Sequence, residues 1–196
     1  MKRNHNKIIQ NSFENHLKVF NSLNSAKVIT KINKIFFLIL KTLKSNNTIF
    51  WCGNGGSASD TQHLSTELVA RYKKERKPLR SVSLNTDTSA LTAIANDYDY
   101  SKVFSRQLEA LSKKNDLLIV ISTSGNSKNI INVLKKAKKL KLKSVAFLGN
   151  NGGASLKISD LSFVVPSNVT ARIQEFHIFL GHLMCELLDN YYTNRK

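Results

Sequence analysis

The chain has 196 residues, enough for one domain with a core, and 30 Lys and Arg against 13 Asp and Glu give a net charge of +17. A hydrophobic content of 41% excludes a disordered chain, while no apolar run is long enough to cross a bilayer and no secretory signal is expected. Cys52 and Cys185 are far apart, which argues against a disulfide scaffold and predicts a cytoplasmic protein with no membrane partner.

The N-terminal part is predicted to form two helices. Apolar residues recur with helical spacing over 8–22 and again over 26–45. Both segments carry more apolar surface than a free-standing hairpin could hide. We therefore interpret residues 1–45 as a helical pair at an oligomer interface, within a single domain that spans 1–196.

Strands and helices alternate along the rest of the chain. Strands are predicted at 48–52, 80–84, 116–122, 143–148 and 160–165, and helices at 57–72, 89–96, 102–111, 127–140 and 170–191. The runs LLIVIS and SVAFLG are apolar at successive positions, as parallel strands covered on both faces are. This pattern predicts an α/β fold with a doubly wound, mainly parallel five-stranded sheet, in which ligands bind at the carboxyl ends of the strands.

The first glycine-rich loop follows the first predicted strand. Residues 53–58 read GNGGSA and satisfy the G-x-G-x-x-A form of a dinucleotide fingerprint, but Leu84 and Asn85 stand where the acidic residue at the end of the second strand is required. The alternative is a tight turn that needs glycine for its backbone. On the helix that follows, His63 and Glu67 are four residues apart and share one face.

A second loop, ISTSGNS, follows the third predicted strand and is more specific. It places four hydroxyls around one glycine just before a helix: Ser122, Thr123, Ser124 and Ser127. Hydroxyl donors and the N–H groups of a helix N-terminus together suit a phosphate monoester. The alternative is that Ser127 is only the N-cap of the helix.

Four motifs together carry a resemblance to a known family. HLSTELVARY, AIANDYDY, STSGNS and TARIQEFHIFLGH follow one another along the chain and resemble the phosphoheptose isomerases of the sugar isomerase (SIS) domain family. The resemblance implies an aldose–ketose isomerase that converts sedoheptulose 7-phosphate to D-glycero-D-manno-heptose 7-phosphate through an enediol. The product would serve the heptose of bacterial lipopolysaccharide. It also implies a homotetramer.

The resemblance also implies roles for individual residues. Glu67 would be the general base and His182 the general acid. A zinc ion would be bound by His63, Glu67, Gln174 and His182. The sugar phosphate would contact Asn54, Gly55, Gly56, Glu67, Asn96, Asp97, Ser122, Thr123, Ser124, Ser127 and Gln174. Gln174 and His182 are separated by about 80° around one helix and can face one cleft, whereas we interpret His177 as a packing residue or a surface hydrogen bond.

Two alternatives concern the partners of the chain. A non-enzymatic SIS protein that binds the replication initiator is also similar, but it lacks the acid–base pair that Glu67 and His182 would supply here. The lysine cluster KKAKKLKLK would suit nucleic acid, yet it lies late in an amphipathic helix with no recognised binding motif beside it. We interpret it as a solvated face and expect no nucleic-acid partner.

Overall fold

The computed structural model describes residues 2–194 and has a five-stranded parallel sheet at its centre. Its strand order is β2-β1-β3-β4-β5. The strands are β1 Ile49–Gly53, β2 Ser81–Ser83, β3 Leu117–Ser122, β4 Lys143–Leu148 and β5 Leu161–Val164. The predicted doubly wound α/β fold is confirmed, and every strand pair in this sheet is parallel.

Eight α-helices surround the sheet in the described part of the chain. They are α1 Lys2–Leu23, α2 Ala26–Lys44, α3 Gly56–Val69, α4 Thr88–Asp97, α5 Val103–Leu111, α6 Lys128–Lys139, α7 Ser155–Ile158 and α8 Thr170–Thr193. None of these helices is both long and apolar enough to span a membrane.

Two helix boundaries differ from the predictions by three residues or more, and one short helix was not predicted. The first helix begins at Lys2 rather than at residue 8, because its first turns are polar and carry no apolar spacing. The third ends at Val69 rather than at residue 72, since Ala70 leaves the helical conformation with φ −81° and ψ −98°. The short helix α7 was not predicted, because four residues are too few for a periodic pattern.

The central strands are buried on both faces, so their side chains divide between two cores. Trp51, Ile119 and Phe147 belong to the core shared with α1, α2, α3 and α8. Their neighbours Leu118 and Ala146 belong to the core on the other face, with α5 and α6. This alternation explains why the strands read as continuous apolar runs.

The parallel register brings the two predicted loops to one edge of the sheet. Gly53, the last residue of β1, pairs with Ile121 of β3, and Ser122 then pairs with Leu148 of β4. The glycine-rich loop and the hydroxyl-rich loop therefore leave neighbouring strands at their carboxyl ends. This is the edge at which doubly wound sheets bind ligands.

Candidate active site

The glycine-rich loop is fixed by a side chain from the end of β2. Asn85 accepts a hydrogen bond from the Gly53 N–H at 3.1 Å and donates one to the Gly53 carbonyl at 2.9 Å. The turn then passes through Gly55, whose φ of +56° is a conformation that side chains disfavour. The loop thus has a defined geometry before any ligand is bound.

Asn54 is oriented by a second asparagine, on α6. The two amides of Asn54 and Asn129 exchange hydrogen bonds of 2.9 and 2.8 Å, and the Tyr100 hydroxyl donates to Asn54 Oδ1 at 3.1 Å. Asn129 is only 2% exposed. The pair therefore ties the glycine-rich loop to the helix that follows the hydroxyl-rich loop.

Gln174 of α8 lies directly over the glycine-rich loop. A Cβ atom on Gly56 would collide with Gln174 Nε2, so a side chain at this position would displace the amide from its present place. The structure thus brings Gln174, one residue of the proposed metal set, against Gly56, one of the proposed substrate residues.

In the hydroxyl-rich loop, two of the four hydroxyls stabilise the turn itself. Ser122 Oγ accepts from the Gly125 N–H at 3.1 Å, and Ser124 Oγ accepts from the Asn126 N–H at 3.2 Å. Ser127 precedes α6 but its side chain makes no capping hydrogen bond there. Ser127 therefore takes the N-cap position that the alternative predicts, but its hydroxyl makes no capping bond and is left for another partner.

Titratable side chains of α3 and α8 meet in one cluster. His63 Nε2 and His182 Nε2 are 2.8 Å apart, so one ring donates a hydrogen bond to the other. Glu67 Oε1 is 3.5 Å from His63 Nε2, one helical turn away. The helices come this close because Gly181 has no side chain: a Cβ atom there would collide with Leu64.

The surroundings of this cluster affect its protonation. Burial lowers the pKa of His182, and the neighbouring His63 lowers it further, against an opposing effect of Glu67. His182 is also covered by Tyr72, whose ring stacks on it at 5.2 Å and 16°. At neutral pH the His182 ring is thus mostly uncharged and can act as a neutral hydrogen-bond donor.

Asp60 lies one turn before His63 on the same helix. Burial raises the pKa of Asp60, although His63 lowers it in part, and its Oδ2 atom is buried without a hydrogen-bond partner. A half-buried carboxyl of this kind adds negative charge beside the histidines when it is ionised.

His177 belongs to the core and not to the cleft. It is fully buried, and its Nε2 lies 3.0 Å from the Leu148 carbonyl oxygen. Burial lowers the pKa of His177 to about 4. The packing interpretation is confirmed, and the alternative of a surface hydrogen bond is wrong.

Asn96 and Asp97 end α4 on an exposed surface. The Asn96 amide donates to Asp97 Oδ1 at 2.9 Å. Neither makes a hydrogen bond to the glycine-rich or the hydroxyl-rich loop among the contacts of residues 2–194.

Zinc prefers imidazole, carboxylate and thiolate donors, and two imidazoles and a carboxylate converge at His63, His182 and Glu67. The donor chemistry therefore fits the ion that the resemblance implies. Their present arrangement is a hydrogen-bonded one, and no group of three His, Cys, Asp or Glu side chains in residues 2–194 is already spaced as a metal site.

Comparison with known proteins agrees with this geometry. A family model described as the SIS domain matches residues 13–149. The phosphoheptose isomerase of Helicobacter pylori strain HPAG1 is 54% identical over 157 residues, which cover 80% of this chain and 82% of that protein. That of strain P12 is 48% identical over 96% of this chain and 98% of its own.

The chain belongs to the phosphoheptose isomerase family of SIS domain proteins. The solved structure of phosphoheptose isomerase from Neisseria gonorrhoeae superimposes with a TM-score of 0.89 at 37% identity, over 94% of this chain and 98% of that one. Since its relatives over most of its length are isomerases, this SIS domain is an isomerase enzyme. The alternative of a non-enzymatic initiator-binding protein is wrong.

Three residues next to this SIS domain site were missed by sequence reasoning: Asn85, Asn129 and Tyr72. A signal for Asn129 did exist, because it lies four residues before the buried Val133 and so takes a core-facing position in α6 with a polar side chain. Asn85 and Tyr72 lie outside regular elements, where no periodicity reveals the direction of a side chain.

Proposed function

We propose that this isomerase interconverts sedoheptulose 7-phosphate and D-glycero-D-manno-heptose 7-phosphate, for the heptose of bacterial lipopolysaccharide. One observation carries the proposal: a carboxylate and two imidazoles, from Glu67, His63 and His182, meet between α3 and α8, and α3 starts from the glycine-rich loop at the strand edge that also carries the hydroxyl-rich loop. Proton transfer and phosphate binding are the two capacities that this reaction requires. The names of the relatives supply the substrate class.

The chemistry we propose moves one proton between two carbons. Glu67 removes a proton from C1 of the ketose while His182 donates one to the carbonyl oxygen at C2, which gives a 1,2-enediol. Glu67 then returns its proton to C2, and the C1 hydroxyl gives its proton to His182 as the aldehyde forms. A neutral His182 ring can donate this proton and take one back from the C1 hydroxyl, so the site is restored at the end of each turnover.

The remaining residues are proposed to bind the substrate. The hydroxyls of the loop after β3 would hold the phosphate, helped by N–H groups at the start of α6. The residues we propose to contact the sugar phosphate are Asn54, Gly55, Gly56, Glu67, Asn96, Asp97, Ser122, Thr123, Ser124, Ser127 and Gln174.

We also propose a zinc ion as cofactor, held by His63, Glu67, His182 and Gln174. The support is the convergence of two imidazoles and a carboxylate at His63, His182 and Glu67, and the resemblance to the family adds Gln174. Bound zinc would polarise the substrate carbonyl and stabilise negative charge on the enediol oxygens. Glu67 would need one oxygen free of the metal to remain basic enough for its role.

A homotetramer in the cytoplasm completes the proposal. The outer faces of the first two helices expose apolar side chains: Ile8, Ile9, Phe13 and Leu17 on α1, and Ile29 and Phe37 on α2. An apolar stripe of this extent is typical of a subunit interface. The reducing compartment is supported by the two cysteines, which are free and buried.

The test is an isomerase assay with zinc supplied. Purified protein is incubated with sedoheptulose 7-phosphate and aldose formation is followed, with Glu67→Gln and His182→Ala as variants. Each should lower kcat by about 10²–10⁴-fold. The matched control is Glu75→Gln, the same chemical change on a side chain that is 85% exposed, which should leave kcat unchanged. A wild type as inert as both variants would overturn the proposal.

A further inference from the structure

A buried ion pair lies beside the candidate site and is not part of it. Arg76 Nε and Asp189 Oδ1 are 2.8 Å apart, and only 1% of either side chain is exposed. Removing two charges from water is unfavourable unless hydrogen bonds satisfy them. The bonds of this pair go to three segments: the end of α3, the connection 70–80, and α8.

The Arg76 guanidinium holds the backbone of the proposed base. Its Nη2 donates to the Glu67 carbonyl at 2.7 Å, and its Nη1 donates to the Leu68 carbonyl at 2.9 Å. Both carbonyls belong to the last turn of α3. The last carbonyls of a helix have no N–H partner within the helix, and a positive charge there interacts favourably with the helix dipole. The turn that carries Glu67 is therefore held by a side chain.

The Asp189 carboxylate holds the segment that covers the proposed acid. Its Oδ2 accepts hydrogen bonds from the backbone N–H groups of Lys73 and Lys74 at 2.7 and 2.9 Å. The residue just before Lys73 is Tyr72, whose ring stacks on His182. Asp189 and His182 are two turns apart on the same face of α8.

The ionised state of the carboxylate is consistent with this arrangement. Burial raises the pKa of Asp189, but the N–H groups of Lys74 and Lys73 and the Arg76 guanidinium lower it by more, so that the net shift is downward. A charged carboxylate accepts stronger hydrogen bonds than a neutral one.

We propose that Arg76 and Asp189 are positioning residues of the active site, which fix Glu67 through its carbonyl and His182 through the stacked ring of Tyr72. The inference rests on the roles proposed above for Glu67 and His182. Within residues 2–194, neither side chain hydrogen-bonds to the hydroxyl-rich loop. The pair should therefore affect the proton-transfer steps and leave phosphate binding intact.

The variants are Arg76→Lys and Asp189→Asn. Lysine keeps a positive charge near Asp189 but cannot bond both carbonyls of α3, while asparagine keeps the shape of Asp189 without its charge. The matched control is Asp116→Asn. Asp116 is also 1% exposed and accepts two backbone N–H bonds, from Thr48 and Lys113, but these bonds go to neither α3 nor α8.

Zinc content, Tm and isomerase kinetics are measured for each protein. In both site variants, Arg76→Lys and Asp189→Asn, kcat should fall at least tenfold while KM stays within twofold of the wild type. Asp116→Asn should lower Tm by a similar amount with kcat within twofold. If kcat fell in proportion to Tm in all three variants, the positioning role would be overturned. An unchanged kcat in both site variants would overturn it as well.

A second readout needs no catalysis. In protein labelled with ¹⁵N-histidine, the ring signals of His63 and His182 should shift in Arg76→Lys and Asp189→Asn and stay in place in Asp116→Asn. If the wild type does not isomerise sedoheptulose 7-phosphate, the proposed function fails, and these signals still decide the positioning role. Unshifted signals in both site variants would overturn it.

If the ion-pair variants do not fold, Tyr72→Leu still tests the positioning of His182. It removes the ring that stacks on His182 and leaves Arg76 and Asp189 intact. We expect the His182 signal to shift and kcat to fall at least tenfold with KM within twofold. An unchanged His182 signal in this variant would contradict the route through Tyr72.

Discussion

His63 and His182 touch through their Nε2 atoms at 2.8 Å, although 119 positions separate them in the chain. The contact depends on the residues next to them, Leu64 and Gly181, where α3 and α8 pack without an intervening side chain. Because both histidines are fixed to helices, the distance between them is set by helix packing. Small changes in that packing should therefore alter the distance between the two rings and lower the rate of proton transfer.

Gly181→Ala tests this dependence. The added methyl group would collide with the Leu64 side chain, and overpacking of this kind costs about 1 to 3 kcal/mol of stability. We expect a lower free energy of unfolding and a lower kcat, measured by urea denaturation and the isomerase assay. In the double variant Leu64→Ala/Gly181→Ala the space is restored, so the two losses should be less than additive. Strict additivity would contradict the steric explanation.

Sequence reasoning predicted the fold well because its signals are local. The runs LLIVIS and SVAFLG identify buried parallel strands without any knowledge of their neighbours. The His63–Glu67 pair is likewise local, since four residues on a helix fix a shared face. The expected grouping of this pair with His182 and Gln174 came from the family resemblance, because spacing within one helix does not report which other helix it faces.

The contacts of Arg76 and Asp189 could not be predicted from the sequence, for a physical reason. Arg76 reads as one more cation in the basic stretch YKKERK, and only the fold shows that its side chain is buried while its neighbours are exposed. The same holds for Asp189, which lies among apolar and polar residues near the end of α8. Burial of a charged group is a tertiary property and leaves no periodic signal.

Asn129 is predicted to affect substrate affinity through Asn54. Asn129→Ala removes both amide hydrogen bonds to Asn54, each worth about 1 kcal/mol, and leaves Tyr100 as its partner. KM for the sugar phosphate should rise about fivefold or more, with a smaller change in kcat. Asn132→Ala is the control, because Asn132 lies on the same helix and bonds only the Ser101 carbonyl. An equal rise in KM for both variants would point to a general effect on α6.

Phe13 is predicted to hold subunits together. Its side chain is 68% exposed in the monomer, within the apolar stripe on α1. Burying a carboxylate in such an interface is strongly unfavourable, so Phe13→Asp should lower the mass found by light scattering after size-exclusion chromatography. Asn15→Asp introduces the same charge on the other face of α1 and should leave the mass unchanged. A tetramer that survives Phe13→Asp would remove this face from the interface.

His177 is predicted to make the fold sensitive to acid. Its pKa is about 4 in the folded protein and 6.5 in the unfolded chain, so the unfolded state takes up the proton first as the pH falls. Its contribution to stability is complete above pH 6.5 and is lost progressively between pH 6.5 and 4, by about 2 kcal/mol at pH 5.

His177→Gln removes this titration and keeps a donor for the Leu148 carbonyl. Urea denaturation at pH 7.5 and at pH 5 should therefore show a smaller loss of stability for the variant than for the wild type. The comparison uses the difference between the two pH values, so any constant packing cost of the substitution cancels. Equal losses in the two proteins would mean that other groups dominate the acid response, and that the buried imidazole accepts a proton in the folded state more easily than its surroundings indicate.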